Sequence, residues 1–317
     1  MDLFPGNTNI EGATVINACY GGTAALLNAF LWVESDGWDG RYAIVVAADI
    51  AAYARGGARP TSGAGAVAVL IGRDAPLMFN PKERATHAAN VWDFFKPDHT
   101  VEYPTVDGAL SQICYYQALE DVYTRFCDKL DLTTSSEEAS SSMITNPTNG
   151  GKEEKKVDNI IDHNDHHNDT PHDATSHDYF VFHAPYNKLV QKSFGRLFFM
   201  DARRKYETTG EICSNNEEEE GTGFDIELLT KPIEETYTDK TLEGKLKKQS
   251  AADYKKRLSD SNMASKLIGN TYTASVFIGL ASLIDRAGGR GDLTPGKSIA
   301  VFSYGSGALA TMYRLSV

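Results

Sequence analysis

The sequence has 317 residues and a formal net charge of −12, from 31 Lys and Arg against 43 Asp and Glu, and 41% of its residues are hydrophobic. That is enough chain for a sizeable packed core, while the acidic excess argues against nucleic acid or an anionic membrane as partner, since both select basic patches. No run of about 18 apolar residues is present to span a bilayer. Four cysteines without a CxxC pair (Cys19, Cys114, Cys127, Cys213) suit a reducing compartment better than a disulfide framework or a zinc site.

The opening MDLFPGNTNI lacks the basic and apolar regions of a secretory signal. VINACYGGTAALLNAF (15–30) then places Cys19 between a short strand-like run and a Gly-Gly pair that opens into a helical pattern. RYAIVVAADI (41–50) and GAGAVAVLIG (63–72) are continuous apolar runs that predict strands buried on both faces. GALSQICYYQALEDVYTRFCDKL (108–130) has helical spacing, with Cys114 and Cys127 on its apolar stripe as small core residues. Residues 131–177 are Ser, Thr, Asn, Asp, Glu and His with few apolar side chains, and read as a disordered acidic, His-rich insertion. Its DHNDHHNDTPHD can chelate a metal weakly, but no rigid element fixes ligand geometry, and the plain reading is a solvated tract.

Order resumes at YFVFH (179–183), a buried strand, with Pro185 where a first helical turn begins and a helix face at Leu189, Val190, Phe194, Leu197 and Phe198. NNEEEEG (215–221) reads as an exposed acidic loop. Helices are expected over 251–269 and over 270–289, the second ending at Gly288-Gly289, and then two buried strands joined by a Gly-rich loop over 297–317. The composition divides the chain into 1–130, the insertion 131–177, and 178–317.

A thiol at a helix N-terminus feels the positive end of the macrodipole and free N–H groups, which lower its pKa and can hold the oxygen of an attacked thioester. This is the chemical case for Cys19; the bland alternative is a buried structural cysteine. His183 closes an apolar strand where an imidazole can face a cleft or simply sit satisfied in the core. Lys188 and Lys192 are four apart on one predicted helix, so they share a face that can meet a phosphate or only water. Asn270 follows a glycine before a helical run and can be a cap, and Gly305–Ser306–Gly307 can be a tight turn or a close backbone approach to a ligand. Thr61 and Ser111 read by themselves as turn and helix-cap residues, and Asp49 and Asp93 as structural acceptors.

Seven blocks occur together and in order: NACYGGTAALLNA, YAIVVAADIAAYARGGARPTSGAGAVAVLIG, WDFFKPD, YPTVDGALS, FHAPYNKLVQKS, GNTYTASV and FSYGSG. The set closely resembles the eukaryotic type of 3-hydroxy-3-methylglutaryl-CoA synthase, in the thiolase superfamily. The resemblance covers nearly all of the chain outside 131–177 and 207–230. It implies an α/β thiolase-like fold of αβαβα layers, a homodimer, and a cytoplasmic setting, with mitochondrial targeting left open. The implied reaction condenses acetyl-CoA with acetoacetyl-CoA and water to HMG-CoA and CoA, feeding mevalonate, isoprenoid and sterol synthesis, without a metal or other cofactor. By resemblance Cys19 is the nucleophile that carries the acetyl group, and His183 polarises the acceptor carbonyl. Asn270 and Ser306 line the acyl pocket, Thr61 and Ser111 contact substrate through hydroxyls, and Lys188 and Lys192 meet CoA phosphate. Asp49 and Asp93 match acids that support turnover.

Two departures carry expectations of their own. Gly57 of ARGGARP stands where members of the family commonly have Asn, which weakens one expected contact to substrate. The family's general acid/base glutamate belongs well upstream of the cysteine block, and strands at both ends of the fold have no counterpart here. General acid/base catalysis typically contributes about 10² to 10⁴-fold, so a chain without that glutamate keeps what acetylation of Cys19 needs, a thiolate and an oxyanion site, but is expected to condense very poorly or not at all. The rival readings are a non-catalytic fragment or pseudo-enzyme that binds CoA or a full-length partner, and a Cys–His hydrolase such as a protease, for which the sequence carries no signature.

Overall fold

The Gly-Gly pair of the cysteine block does open a helix, and the strands that follow it form the smaller of two principal sheets. The computed structural model describes residues 3–143, 171–212 and 224–317. Helix α1 (Gly21–Val33) leads into β1 (Ala43–Ala51) and β2 (Gly63–Ile71), which pair antiparallel with Ala43 opposite Ile71 and Ala51 opposite Gly63. β3 (Met78–Ala88), the small β4 (Phe94–Phe95) and β5 (Thr105–Val106) pair, and the long helix α2 (Gly108–Met143) follow. Next come β6 (Tyr179–Phe182), α3 (Asn187–Thr209), α4 (Ile226–Thr230) and α5 (Lys240–Gln249). α6 (Ala251–Asp253) and α7 (Ser259–Ile268) are joined by a π-type turn, and α8 (Ser275–Leu283) continues through another to Gly288. β7 (Ser298–Gly305) and β8 (Leu309–Ser316) complete the chain.

The larger sheet has the order β3-β8-β7-β6, with β6 parallel to β7 and the other pairs antiparallel. Alternation along β6 and β7 sends Phe180, Phe182, Ala300 and Phe302 to one side, against α2 and α3, and Val181, Ile299 and Val301 to the other, against α1 and α8. Beyond α1 and α8 lies the β1–β2 sheet, whose Val45, Ala47 and Ile71 close the second core. The described residues therefore stack as helix, sheet, helix, sheet. Every residue of β6 is buried, as are all but the first of β7, and each such apolar side chain contributes about 1.5–3 kcal/mol.

Four expectations change. β1 and β2 are buried on one face only: Ile44, Val46, Ile50 and Leu70 point outward and are half to nearly three-quarters exposed. An unbroken apolar run implies burial on both sides only if both sides are covered, and among the described residues α1 and α8 cover just one. The helix expected to end at 130 runs to Met143. Hydrogen bonding accounts for the extension near Asp131, whose carboxylate accepts from His172 and from the Arg204 guanidinium. The far end of the supposed insertion is also ordered: Asp173 caps a 3₁₀ turn at Ala174–Ser176, Ala174 is buried, and His177 packs between Phe126 and Phe180. The rest of the His-rich tract, and the acidic loop 215–221, lie outside the described residues; no metal-holding group of three His, Cys, Asp or Glu occurs among the described ones. Finally, β3 and α2, grouped by composition with everything up to 130, pair and pack with β6–β8, and Pro185 precedes the first turn of α3, whose N-cap is Tyr186.

Candidate active site

Cys19 ends the extended N-terminal segment, two residues before α1. Two glycines let that helix end sit so deep. A side chain at Gly22 would stand 2.6 Å from Phe277 and 2.7 Å from the Thr273 carbonyl, and one at Gly305 would stand 2.8 Å from the Tyr20 nitrogen. Hydroxyls fix the same turn to the large sheet: Thr23 Oγ1 donates to Ser303 Oγ at 2.7 Å, and the Tyr20 and Thr311 hydroxyls share a hydrogen bond at 2.6 Å.

A cavity of about 240 Å³ opens beside Cys19. Its walls come from the loop after β1 (Tyr53, Gly57, Thr61), the first turns of α2 (Ser111, Tyr115) and the β6–α3 junction (His183, Tyr186), with Asn270 and Tyr272 before α8 and Ser306 at the β7–β8 turn. The chain thus brings seven of the expected site residues to one space: Cys19, Gly57, Thr61, Ser111, His183, Asn270 and Ser306. No atom stands within 4 Å of where a Gly57 side chain would begin, so that wall is open.

The electrostatics of Cys19 differ from expectation. The residue is half-buried, but its thiol is pushed up to about 12, first by burial and then by the Asp49 carboxylate. A hydrogen bond from its own backbone opposes this, and Asp93 adds a smaller push in the same direction. The first N–H groups at the helix end do not serve the sulfur: Tyr20 N–H goes to the Asn17 carbonyl and Gly21 N–H to that of Ala18, both at 3.1 Å. Local turn closure has absorbed the donors on which the low-pKa reading rested. The resting side chain is a protonated thiol, so attack requires a proton acceptor.

His183 is 1% exposed, and burial lowers its imidazole to about 3, so the ring is neutral. Its backbone N–H donates to the Phe302 carbonyl at 2.7 Å, its carbonyl accepts from the Tyr115 hydroxyl at 2.6 Å, and the ring stacks on Tyr304. A neutral imidazole can donate at one nitrogen and accept at the other. The Asn270 amide donates to the Tyr53 hydroxyl at 3.0 Å and accepts from Tyr272 N–H at 2.9 Å, while Asn270 N–H reaches the Thr61 carbonyl at 2.8 Å. Its turn role and its place on the cavity wall coexist. Thr61 likewise closes its own turn, onto the Ala58 carbonyl at 2.7 Å.

The two acids stand behind the cavity wall. Asp49 accepts from the Thr273 hydroxyl at 3.2 Å and from Ile50 N–H. Asp93 is wholly buried, and neither carboxylate oxygen has a hydrogen-bond partner among the described residues. The two lysines part company. Lys188 is exposed beside the wall residues Tyr186 and Leu189, whereas Lys192 lies 2.9 Å from Glu243 of α5 and is not on the cavity wall. The expectation of a shared phosphate-facing pair fails because α5 packs on that face of α3. The aromatic wall of Tyr53, Phe94, Tyr115, Tyr186, Tyr272 and Tyr304 does not follow from the sequence reading; all but Tyr115 lie inside the matching blocks, but their ring positions follow from tertiary packing.

Comparison with known proteins agrees with this architecture. Residues 1–76 match the family model for the hydroxymethylglutaryl-coenzyme A synthase N terminal part, and residues 77–147 and 152–317 match the C terminal part. A hydroxymethylglutaryl-CoA synthase of Aspergillus fumigatus is 41% identical over the whole chain, which spans 62% of that relative's length. The human cytoplasmic enzyme is 40% identical, with the whole chain spanning 54% of its length. Among solved structures, MvaS in complex with 3-hydroxy-3-methylglutaryl coenzyme A superposes with a TM-score of 0.67 at 26% identity, covering 96% of this chain and 58% of that one. An HMG-CoA synthase complexed with CoA gives 0.59 at 25% identity, covering 95% and 55%. The chain therefore spans little more than half the length of the relatives it matches.

Proposed function

The chain belongs to the hydroxymethylglutaryl-CoA synthase family, with its thiolase-like fold, and we propose that its cavity carries out the acyl-CoA chemistry of that family on Cys19. The observation that carries the reading is the convergence of Cys19, His183, Asn270 and Ser306, from four separate segments, on one cavity of about 240 Å³.

In this reading the Cys19 thiol gives up its proton and its sulfur attacks the thioester carbon of acetyl-CoA. The bond to the CoA sulfur breaks and CoA leaves as the thiol. Loss of a proton from the acetyl methyl group gives an enolate that forms a carbon–carbon bond to the ketone of acetoacetyl-CoA. The new alkoxide takes up a proton, and water cleaves the Cys19 thioester to release HMG-CoA. Neutral His183, held by Phe302 and Tyr115 through its backbone and by Tyr304 through its ring, donates a hydrogen bond to the acceptor carbonyl. Asp49 and Asp93 raise the thiol pKa at rest and favour the uncharged acyl-sulfur state over the thiolate. Thr61 and Ser111 line the substrate side, and Lys188 meets CoA phosphate.

The cytoplasm is the setting consistent with the human relative's name, and a homodimer and a step toward mevalonate and sterols follow from the same reading. No helix is long and apolar enough to cross a membrane, among the described residues. Incubation with radiolabelled acetyl-CoA tests the first half-reaction: one acetyl group per chain, absent from Cys19→Ala, is the expected result. Equal labelling of the variant, or none of either protein, would refute it. Adding acetoacetyl-CoA then measures how much of the condensation the chain performs.

A further inference from the structure

The β6–α3 junction brings His183, Pro185, Tyr186 and Leu189 to the cavity wall, yet α3 begins there without a cap of its own. Asn is a preferred N-cap, but Asn187 stands one residue late, and the N-cap Tyr186 makes no side-chain capping bond. Contacts from elsewhere in the fold hold the junction instead. The Ser275 hydroxyl accepts from Ala184 N–H at 3.0 Å, and the Tyr186 hydroxyl donates to Gln112 Oε1 of the α2 wall at 3.1 Å. Away from the cavity, Asn187 Oδ1 accepts from the side-chain amide of Asn262 in α7 at 2.7 Å. That amide also donates to the Tyr254 hydroxyl at 2.9 Å, from the π-type turn that precedes α7. Asn262 is 4% exposed, and its side-chain carbonyl oxygen has no partner among the described residues. Replacing such a pair by apolar side chains of similar shape is often neutral or stabilising. What the two asparagines supply that two leucines would not is a directional bond that fixes where α3 starts.

We propose that Asn262 is a positioning residue of this cavity: through Asn187 it fixes the first turn of α3, and with it the placement of Tyr186 and His183. The inference rests on the CoA reading above and deepens it, since His183 is the group that meets the acceptor carbonyl there. Neither asparagine lines the cavity, so their effect on a ligand passes through the backbone of 183–187. A donor held slightly out of place loses much of its value to a bound substrate.

The whole chain carrying Asn187→Leu and Asn262→Leu, singly and together, tests this by three readouts: the urea midpoint, the imidazole resonances of His183 (identified by their loss in His183→Gln), and calorimetric affinity for acetoacetyl-CoA. The double variant is expected to keep the parent's urea midpoint, because both partners leave together. It is nonetheless expected to shift the His183 resonances and to bind acetoacetyl-CoA about two- to tenfold more weakly, the range of one hydrogen bond. Each single variant is expected to lose as much affinity as the double, because a shared contact is lost only once. Asn187→Asp, which keeps an acceptor oxygen for Asn262, is expected to recover most of the affinity lost in Asn187→Leu. Unmoved His183 resonances, undiminished affinity, or single losses that add in the double variant overturn the inference while leaving the CoA reading intact. A urea midpoint that falls in step with affinity marks a purely structural role and overturns it as well. Failure of the parent to bind acetoacetyl-CoA refutes the CoA reading, and the His183 resonances then decide the positioning role by themselves.

Discussion

The two principal sheets are written in much the same apolar residues, yet the chain treats them differently. β6 and β7 sit between two layers of helix, so Val181 and Phe182, adjacent in sequence and opposite in direction, are both buried. In β1, Val45 is buried and Val46 is 65% exposed. The contrast teaches that an apolar strand carries no information about how many of its faces are covered; that depends on which helices the topology returns to it. α1 lies between the sheets, so the turn that carries Cys19 is tied to the large sheet by the Tyr20–Thr311 and Thr23–Ser303 hydrogen bonds, while Asp49 of the small sheet acts on the thiol through its charge.

The contrast can be broken most forcefully by truncation at matched places. Phe302→Ala removes a fully buried ring shared by α2, β6 and β7 and is expected to cost about 3–5 kcal/mol in urea unfolding. Val46→Ala, on the outward face of β1, is expected to stay within about 0.5 kcal/mol. Similar losses at both positions would show that the outer face of β1 is covered in solution.

Acid sharpens the same contrast. His177 and His183, both buried at the large sheet and both lowered to about 3, stay neutral when folded and bind protons near pH 6.5 when unfolded. The unfolded state therefore holds more protons between about pH 3 and 6.5. Stability must fall as pH drops through that window, by about 1.4 kcal/mol per pH unit for each histidine. Asp201, raised to about 7 mainly by burial, acts in the opposite sense, so the clean measurement is a difference: His177→Phe should lose about one histidine's share of the acid slope. An unchanged slope would refute the buried neutral state.

Two smaller effects probe the junction and the surface. Asp49→Asn removes a charge that raises the Cys19 thiol, so iodoacetamide should alkylate Cys19 about three- to tenfold faster at pH 8. No acceleration would mean that Asp49 does not act on the sulfur. Lys192→Ala breaks the pair with Glu243 and is expected to cost about 0.5–1 kcal/mol without weakening CoA binding. A clear loss of CoA affinity would restore Lys192 to the phosphate contact that the resemblance implies.

Much of the site was legible along the chain, because blocks such as NACYGG, FHAPY and FSYGSG carry both a reactive residue and the small or helix-starting residues that place it. The helix at 108–130, the buried strand at 179–182 and the final hairpin were equally plain from spacing. The pKa of Cys19 was not, because burial and then the Asp49 charge raise it, and the Tyr20 and Gly21 N–H groups that the dipole argument needs go to the Asn17 and Ala18 carbonyls. The end of α2 was missed because Asp131 is stabilised by His172 and Arg204, partners distant in sequence and invisible to local composition.

The sequence by itself determined which residues can do chemistry, the family they resemble, and the period of each core-facing strand and helix, since those depend on side-chain type and near-neighbour spacing. Tertiary structure alone decided that one face of β1 and β2 is left open among the described residues, that Lys192 faces Glu243 rather than the cavity, and that the sulfur of Cys19 is a thiol at rest. Each of these depends on what packs against a residue from elsewhere in the chain. Desolvation and charge act through space, over distances that the order of residues does not encode.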